Sequence, residues 1–287
     1  MAAIFKKEFK AYFMNMSGYV FMAFLLLFAG IYVTAINLKS GYASFEYTLS
    51  SMSMVFIFII PILTMRSIAE ERHSRTDQLL YSLPLRVSDI VLGKFLAMLA
   101  VLAIPVAIMS GYPLILSAFG TVHYTACYGA MLAFFLLGAA LIAICMFMSA
   151  LTESQIIAAV LSFGVLLVAY LMSGIASLIP STAIVSFFAL IVVSIVLAAI
   201  VWLLTKNPVV ALVAAAICII PLSLLYYFNS SVFAGLFQEL LNTLSLFDRF
   251  DNFIYGIFDV TALVYYISVI VFFLFLTMQS VEKRRWS

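Results

Sequence analysis

The chain has 287 residues, of which 67% are hydrophobic and only 9% are charged, whereas ordinary soluble domains are about 45–50% apolar and about 25% charged. So few charges exclude a water-soluble globule, and the lipid bilayer must be the main solvent. A net charge of +2 without a clustered basic face also excludes nucleic-acid binding as a main role.

Long stretches without charge predict where the chain crosses the membrane. A helix crosses the hydrocarbon core in about 20 residues, so the stretches 95–152 and 154–205 are each long enough for two crossings. The sequence predicts an all-α, polytopic membrane helix bundle. Its eight expected transmembrane helices cover residues 17–37, 49–66, 94–118, 125–150, 156–178, 183–205, 208–228 and 260–281. Six spans is the competing count, because the sixth and seventh helices form either a tight hairpin or a partly re-entrant pair.

Basic residues indicate the orientation, because cytoplasmic loops retain lysine and arginine. With eight spans, both termini share one side with 12 of the 14 basic residues, and only Lys39 and Arg249 lie on the other side. Both termini are therefore expected in the cytoplasm. The first apolar stretch is expected to remain as a span, because it is too long for the core of a signal peptide.

Groups that other classes of function require are missing from the sequence. No Asp, Glu, Lys or Arg lies near the middle of a predicted span, whereas ion-coupled carriers usually need such groups there. Gly93-Lys94 lacks both the leading glycine and the following Ser or Thr of a P-loop. His73 and His123 are isolated. We therefore expect no catalytic, cofactor or metal site.

Residues 1–16 form a predicted amphipathic helix before the first span. One face carries Phe5, Phe9, Tyr12 and Met16, and three lysines occupy the opposite face. Such a helix lies in the headgroup plane with its apolar face in lipid. It is either an anchor or a lever that couples cytoplasmic events to the first span.

The loop over residues 66–93 is densely charged at first and then becomes a short amphipathic helix. Leu79, Leu80 and Leu83 share one side of that helix. Ser88 and Asp89 are expected to cap the next helix. An apolar ridge ringed by charge suggests docking into a groove of a partner protein, and the alternative is a solvated connector.

Several short motifs follow one another in this loop. They are Ala69-Glu70-Glu71-Arg72, Thr76-Asp77-Gln78-Leu79-Leu80, Leu83-Pro84 and Gly93-Lys94. Their order resembles the first cytoplasmic loop of the ABC-2 type ABC-transporter permease family, in which a Glu-Glu-Arg stretch leads into a coupling helix. Arg75 stands where the family usually has a glycine.

The C-terminal residues carry a second set of matching positions. These are Phe250, Phe253, Gly256, Asp259, Tyr265-Tyr266, Phe275-Leu276 and the ending Glu282-Lys283-Arg284-Arg285-Trp286. They resemble the gliding-motility (GldF-like) branch of the same family. The resemblance covers residues 1–178 and 229–287. Family members usually have six spans, so residues 183–228 look like an additional hairpin.

The resemblance implies one transmembrane permease domain over residues 1–287, acting as a subunit of an ATP-driven exporter. Two permease chains, identical or homologous, would bind a cytoplasmic ABC ATPase dimer that holds ATP and Mg²⁺, so this chain itself needs no cofactor. The implied location is a bacterial plasma membrane. The residues assigned to coupling with the ATPase, with Arg72 either at an exposed rim or paired in a buried site, are Glu70, Glu71, Arg72, Asp77, Leu79, Leu80 and Leu83.

The outer segment over residues 229–259 is predicted to contain an interfacial or re-entrant helix. Its apolar face consists of Phe233, Leu236, Phe237, Leu240, Leu241 and Leu244, with Gln238, Glu239, Asn242 and Thr243 turned away. The family resemblance implies an exit gate here, which makes Phe233, Leu236, Phe237 and Leu240 the gate candidates. The alternative is a loop on the bilayer surface. An auxiliary subunit on the outer face would bind at this side.

Two other functions compete with the exporter. The first is a non-transporting membrane scaffold that transmits ATPase motion to an outer-face partner. The second is an ion-coupled carrier, which is the least favoured of the three functions because the spans lack central charges. The sequence does not specify a transported substrate.

Overall fold

A computed structural model describes residues 1–76, 86–205 and 208–285, with the side chains of residues 200–205, 208, 210, 211, 214 and 285 left aside. The described chain is all-helical, with 82% helix and no strand. The all-α prediction is therefore confirmed.

The helices follow one another through short connections. In chain order they are α1 (Ala2–Met14), α2 (Ser17–Tyr32) with a π-helical end (Val33–Leu38), α3 (Glu46–Ser53), α4 (Phe56–Thr64), α5 (Ala69–His73), α6 (Val87–Met109), α7 (Tyr112–Leu116), α8 (Tyr124–Leu151), α9 (Gln155–Leu178), α10 (Ala183–Thr205), α11 (Pro208–Phe228), a 3-10 turn (Ser230–Phe233), α12 (Leu236–Leu244), α13 (Asp248–Ile254) and α14 (Val260–Arg285).

Several of these helices are long and apolar enough to cross a membrane. In the described residues they number five: Ser17–Leu38, Val87–Leu116, Tyr124–Leu151, Gln155–Leu178 and Val260–Arg284. Two bent pairs, over residues 46–73 and 215–244, raise the number to seven if each is one span. The chain is thus a multi-pass helical membrane protein, and the count of eight stays a prediction.

The chain folds into two compact units. The first contains Met1–Tyr170 and Leu246–Ser287. Within it α8 is the central helix, against which α4, α6, α13 and α14 pack. Small residues permit this close packing: a Cβ atom on Gly138 would lie 2.7 Å from Leu102 Cδ2 and 3.2 Å from Phe56 Cζ.

The second predicted span is broken in the middle. α3 and α4 meet at an angle of 59°, and the turn between them closes through bonds such as Val55 N–H to Met52 O, at 2.9 Å. Pro61 lies inside α4. It lacks an N–H group, and its ring displaces the carbonyl four residues earlier. Proline therefore weakens α4 near Ile57, whereas the break between α3 and α4 lies at residues 54–55.

A buried amide orders the connection between α2 and α3. Asn37 Nδ2 donates to Tyr42 O at 2.7 Å and to Ser44 O at 3.0 Å, and Thr48 Oγ1 donates to Asn37 Oδ1 at 2.6 Å. Both the amino group and the carbonyl of this amide are used, so its burial carries little penalty.

The second unit, Leu171–Ser245, contains the predicted additional hairpin and most of the outer segment. α10 and α11 pack side by side. Whether both helices cross the membrane stays a prediction.

The outer segment differs from the single amphipathic helix that the sequence predicts. Gly235 has a φ of +78°, which suits glycine and ends the preceding turn before α12 begins. Phe233 is therefore separated from Leu236 and Leu240, and its buried ring packs against Phe187 and Tyr226. Its prediction as a member of the same apolar face is wrong.

Gln238 has a partner that the sequence does not predict. The sequence places it off the apolar face of this helix, and its Nε2 donates to the carbonyls of Ala176 and Ile179. The last carbonyls of a helix have no partners inside the helix, and α9 ends at Leu178. Gln238 therefore satisfies the exposed end of α9.

Candidate functional site

A buried polar network lies at one end of the first unit. Lys94 in α6 is 3% exposed, and its Nζ lies 2.8 Å from Glu71 Oε1 in α5 and 3.2 Å from Glu8 Oε1 in α1. One ammonium group therefore joins three helices. Two partly buried carboxylates depend on it, so its loss would leave both without this cation.

Arg72 belongs to the same network and is buried. Its Nη1 donates to the carbonyl of Ala150 in the last turn of α8, and Ser280 Oγ in α14 donates to the same carbonyl at 3.1 Å. Helix C-termini attract cations because their last carbonyls lack partners. Of the two positions expected for Arg72, the exposed rim is therefore wrong and the buried pairing is observed.

Ser149 attaches the start of α5 to α8. Its Oγ accepts hydrogen bonds from Ile68 N–H at 3.3 Å and Ala69 N–H at 3.1 Å, and donates to Met65 O at 3.3 Å. The first N–H groups of a helix have no partners inside the helix. A single hydroxyl thus fixes the point where the chain leaves α4 and enters the charged loop.

Helix α1 packs tightly against α6. A Cβ atom on Gly93 in α6 would lie 2.9 Å from Ile4 Cγ2 in α1. Helix α1 also contacts α4, because the Tyr12 hydroxyl donates to Leu63 O at 3.3 Å. Burial raises the pKa of Tyr12, and the neighbouring negative charges, Glu8 first, raise it further. The phenol therefore remains a hydrogen-bond donor at neutral pH.

One residue of the predicted apolar face of α1 lies elsewhere in the structure. Phe5 and Phe9 are half-buried and their rings stack at 5.8 Å. Met16, in contrast, lies beyond the end of the helix, is exposed, and has a φ of +59°. It therefore belongs to the turn into α2 rather than to the apolar face.

Both ends of the chain reach this region. The Met1 amine lies 3.7 Å from Asp89 Oδ1, and Arg284 Nη2 lies 2.6 Å from Glu153 Oε1. Asp89 lies in the first turn of α6, and Arg86 precedes that helix. The expected cap by Ser88 and Asp89 is therefore corrected to an acidic first turn, which the helix dipole favours.

The coupling residues predicted from the sequence separate into three groups. Glu71 and Arg72 are tied into the network, whereas Glu70 is half-exposed. Asp77, Leu79, Leu80 and Leu83 lie outside the described residues.

Arg75 explains a departure from the family pattern. Its φ is +53°, in the left-handed region where glycine has no steric cost. The chain therefore makes at this position the turn for which the family usually employs glycine.

Three residues of the network are absent from the sequence-based site: Glu8, Lys94 and Ser149. Lys94 has a signal in the sequence, because it is an isolated cation inside an otherwise apolar helix. From the sequence alone it is only a charge that flanks the third span. Glu8 and Ser149 have no such signal, since their partners lie 86 and 80–81 residues away in the chain.

The fold defines a class first: a multi-pass helical membrane protein in which Arg72 and Lys94 lie buried at one end of its main unit. The chain belongs to the ABC-2 family transporter proteins, whose family model matches residues 2–281. The match includes residues 183–228, where the sequence resemblance fails. No curated protein matches the chain. The family resemblance is thus confirmed, and members are generally non-catalytic transmembrane subunits.

Proposed function

We propose that this chain is the transmembrane subunit of an ATP-driven ABC-2 exporter, which forms the substrate pathway and couples to a separate cytoplasmic ABC ATPase dimer. The family match over residues 2–281 carries this proposal. Two permease chains, identical or homologous, assemble in a bacterial plasma membrane with eight spans each and both termini in the cytoplasm. The proposal retains the GldF-like branch and a single permease domain over residues 1–287.

Coupling runs through the loop over residues 66–93 in this proposal. Leu79, Leu80 and Leu83 enter a groove of the ATPase, while Glu70 and Asp77 face its charged rim. Buried apolar contacts hold such complexes, and rim charges chiefly orient them.

The buried network supports a route from this loop into the membrane. α5 has five residues and is bonded at its start to Ser149, through Glu71 to Lys94, and through Arg72 to Ala150. A displacement of the loop must therefore act on α6 and α8 directly. The salt bridge of Lys94 with Glu8 extends the same displacement to α1.

Helix α1 acts in this mechanism as an interfacial lever rather than only as an anchor. Its Lys6, Lys7 and Lys10 are exposed, which suits contact with anionic headgroups. Its remaining charged side chain, Glu8, is directed to the buried ammonium.

The outer segment is assigned to the exit gate. Leu236, Phe237 and Leu240 remain gate candidates, since they share α12. Phe233 lies outside α12 and instead supports the gate from the preceding 3-10 turn. An auxiliary subunit would bind on the same outer side.

The test replaces both Leu79 and Leu80 with Asp. Each fully buried leucine contributes about 1.5–3 kcal/mol, and unpaired carboxylates resist burial, so the ATPase should dissociate or uncouple. Gln78→Asp is the control, because it adds one carboxylate to the same loop at a position that the sequence predicts to lie off the leucine side. Co-purification with the ATPase and ATP-dependent flux in vesicles are the measurements.

The outcomes separate the candidate functions. Normal association and coupling of the double variant would reduce the loop to a connector. ATP hydrolysis by the complex without flux would favour the scaffold. The purified chain alone should not hydrolyse ATP, and P-loop-type turnover by it would contradict the need for a partner.

A further inference from the structure

An apolar groove of about 470 Å³ runs between α2 and the bent pair α3–α4. Val20, Phe24 and Tyr32 lie on its α2 wall, and Phe58 and Ile62 lie on its α4 wall. All its lining residues are apolar or aromatic. A groove of this kind on a membrane-spanning unit suits hydrocarbon rather than water.

The length of the groove matches one leaflet. From Val20 to Tyr32 the helix rises about 18 Å, at about 1.5 Å per residue. One leaflet of hydrocarbon is about 15 Å deep, which is half of a core of about 30 Å. The groove therefore has the length of a lipid acyl chain lying alongside the protein.

Each wall of the groove leads into a small polar pocket. This pocket has a volume of about 60 Å³, and Ser17, Arg66, Ser67 and Glu70 are among its lining residues. Ser17 precedes Val20 by three residues in α2, a spacing that places both on one helical face, and Arg66 lies two residues beyond the end of α4 at Thr64. The polar pocket therefore lies at the end of the groove nearest α1.

The pocket contains complementary charges that nothing described in the chain uses. Among residues 1–76, 86–205 and 208–285, neither Arg66 nor Glu70 forms an ion pair. Ser67 is 4% exposed, and its Oγ lacks a hydrogen-bond partner in these same ranges. A buried hydroxyl in that state normally has a ligand or water. The site thus offers a cation, an anion and a free hydroxyl.

We propose that groove and pocket together bind a phospholipid with a primary ammonium headgroup, of which phosphatidylethanolamine is the simplest. The acyl chain occupies the groove, the phosphate binds Arg66, and the ammonium donates to Glu70 and Ser67. The pocket is small, at about 60 Å³, and its lining residues Arg66 and Glu70 are complementary to a phosphate and an ammonium group. This site lies apart from the proposed transport pathway but shares Glu70 with the proposed coupling loop, so lipid retention is measured on the chain without an ATPase.

The first experiment tests the groove with the full chain reconstituted in vesicles of equimolar phosphatidylethanolamine, phosphatidylcholine and phosphatidylglycerol. After extraction, retained lipids are quantified by mass spectrometry. We expect phosphatidylethanolamine to be enriched about tenfold over phosphatidylcholine, a difference of about 1.4 kcal/mol. Ile62→Trp should abolish this enrichment. Ile108→Trp is the matched control, because both isoleucines are 54% exposed and Ile108 lies outside the groove.

The second experiment tests the headgroup without filling the groove. Glu70→Gln should abolish the preference for phosphatidylethanolamine over phosphatidylcholine, whose quaternary ammonium donates no hydrogen bond. Arg66→Gln should lower retention of all three lipids. Arg86→Gln, an exposed cation at the same end of the unit, should change nothing. These charge variants keep the test valid if the tryptophan variant fails to fold.

Three results would overturn the proposal. One is equal retention of phosphatidylethanolamine and phosphatidylcholine by the unaltered protein. Another is equal lipid retention by the two tryptophan variants. The third is loss of a dimer in Ile62→Trp with lipid retention unchanged, which would assign the groove to a second copy of the chain.

Discussion

The ammonium of Lys94 lies inside α6, where two carboxylates from other helices neutralise it. Burying such a cation without partners would be prohibitive. With them, the charge instead fixes the relative positions of α1, α5 and α6. The residues of this network are therefore more sensitive to truncation than exposed charges at the same end of the unit.

Lys94→Met should strongly destabilise the protein. Breaking a buried ion pair by removing one partner costs about 3–5 kcal/mol, because Glu8 and Glu71 are left without their ammonium. Lys7→Met is the control, since Lys7 lies 4.0 Å from the same Glu8 but is 67% exposed, and such a pair is worth about 0–1 kcal/mol. Unfolding in one detergent compares them; similar losses would contradict the buried network.

Asp259 should make the stability of α14 depend on pH. Its hydrogen bond from Asn252 Nδ2 at 2.9 Å, supported by Thr261 N–H at 2.8 Å, lowers the pKa of its carboxyl group. A lowered folded-state pKa means that the stabilisation is present above the ordinary value of about 3.9. It is lost as the pH falls through the lowered pKa.

The measurement is the difference in unfolding free energy between the unaltered protein and Asp259→Ala from pH 3 to 7. At pH 7 the variant should lose about 1 kcal/mol, as for other helix N-caps, and the difference should shrink in acid. Asn252→Ala should weaken this pH dependence. A difference that is constant across the range would refute the role of the carboxylate.

For individual residues, the sequence predicts which positions are important better than it predicts whether they are buried. The motif identifies Glu70, Glu71 and Arg72 as important, but it does not predict their exposure, because the carbonyl that binds Arg72 comes from Ala150. Hydrogen bonds between residues so far apart leave no local pattern in the chain.

The packing of helix α8 requires glycine at one position. Gly138→Ala should destabilise the contact with α4 and α6, since the new Cβ would lie 2.7 Å from Leu102 Cδ2 and overpacking costs about 1–3 kcal/mol. Gly164→Ala is the matched helical control: in the described part of the chain, no atom beyond its own helix backbone and chain neighbours lies within 4 Å of its Cβ position, so it should stabilise by about 0.5–1 kcal/mol. A stabilising Gly138→Ala would disprove the close packing.

The predicted helices follow the charge-free stretches because such stretches are both apolar and long enough to span lipid. Their breaks are harder to predict. Gly235 is a visible signal for the end of the 3-10 turn, yet periodicity alone joins Phe233 to Leu236. The bend between α3 and α4 lies at residues 54–55, six to seven residues before Pro61, and no glycine or proline stands at the bend itself.

For the whole molecule, eight spans require that residue 206 and the segment 245–250 lie on opposite sides of the membrane. A reporter fused after residue 206, which lies outside the described residues, should behave as cytoplasmic. One inserted within residues 245–250 should behave as external, because α11 then crosses the bilayer between the two sites. An external reporter at residue 206 would invalidate the eight-span topology.

The contact between Glu8 and Lys94 also imposes an order on biogenesis. The two residues are 86 positions apart, and at about 5–20 residues per second of synthesis several seconds separate them at the ribosome. Throughout that interval α1 exists without its partner ammonium, and water must solvate Glu8. The nascent N-terminus can therefore reach its final position only after the helix that carries Lys94 has entered the membrane, so its docking reports that the third hydrophobic segment has been inserted.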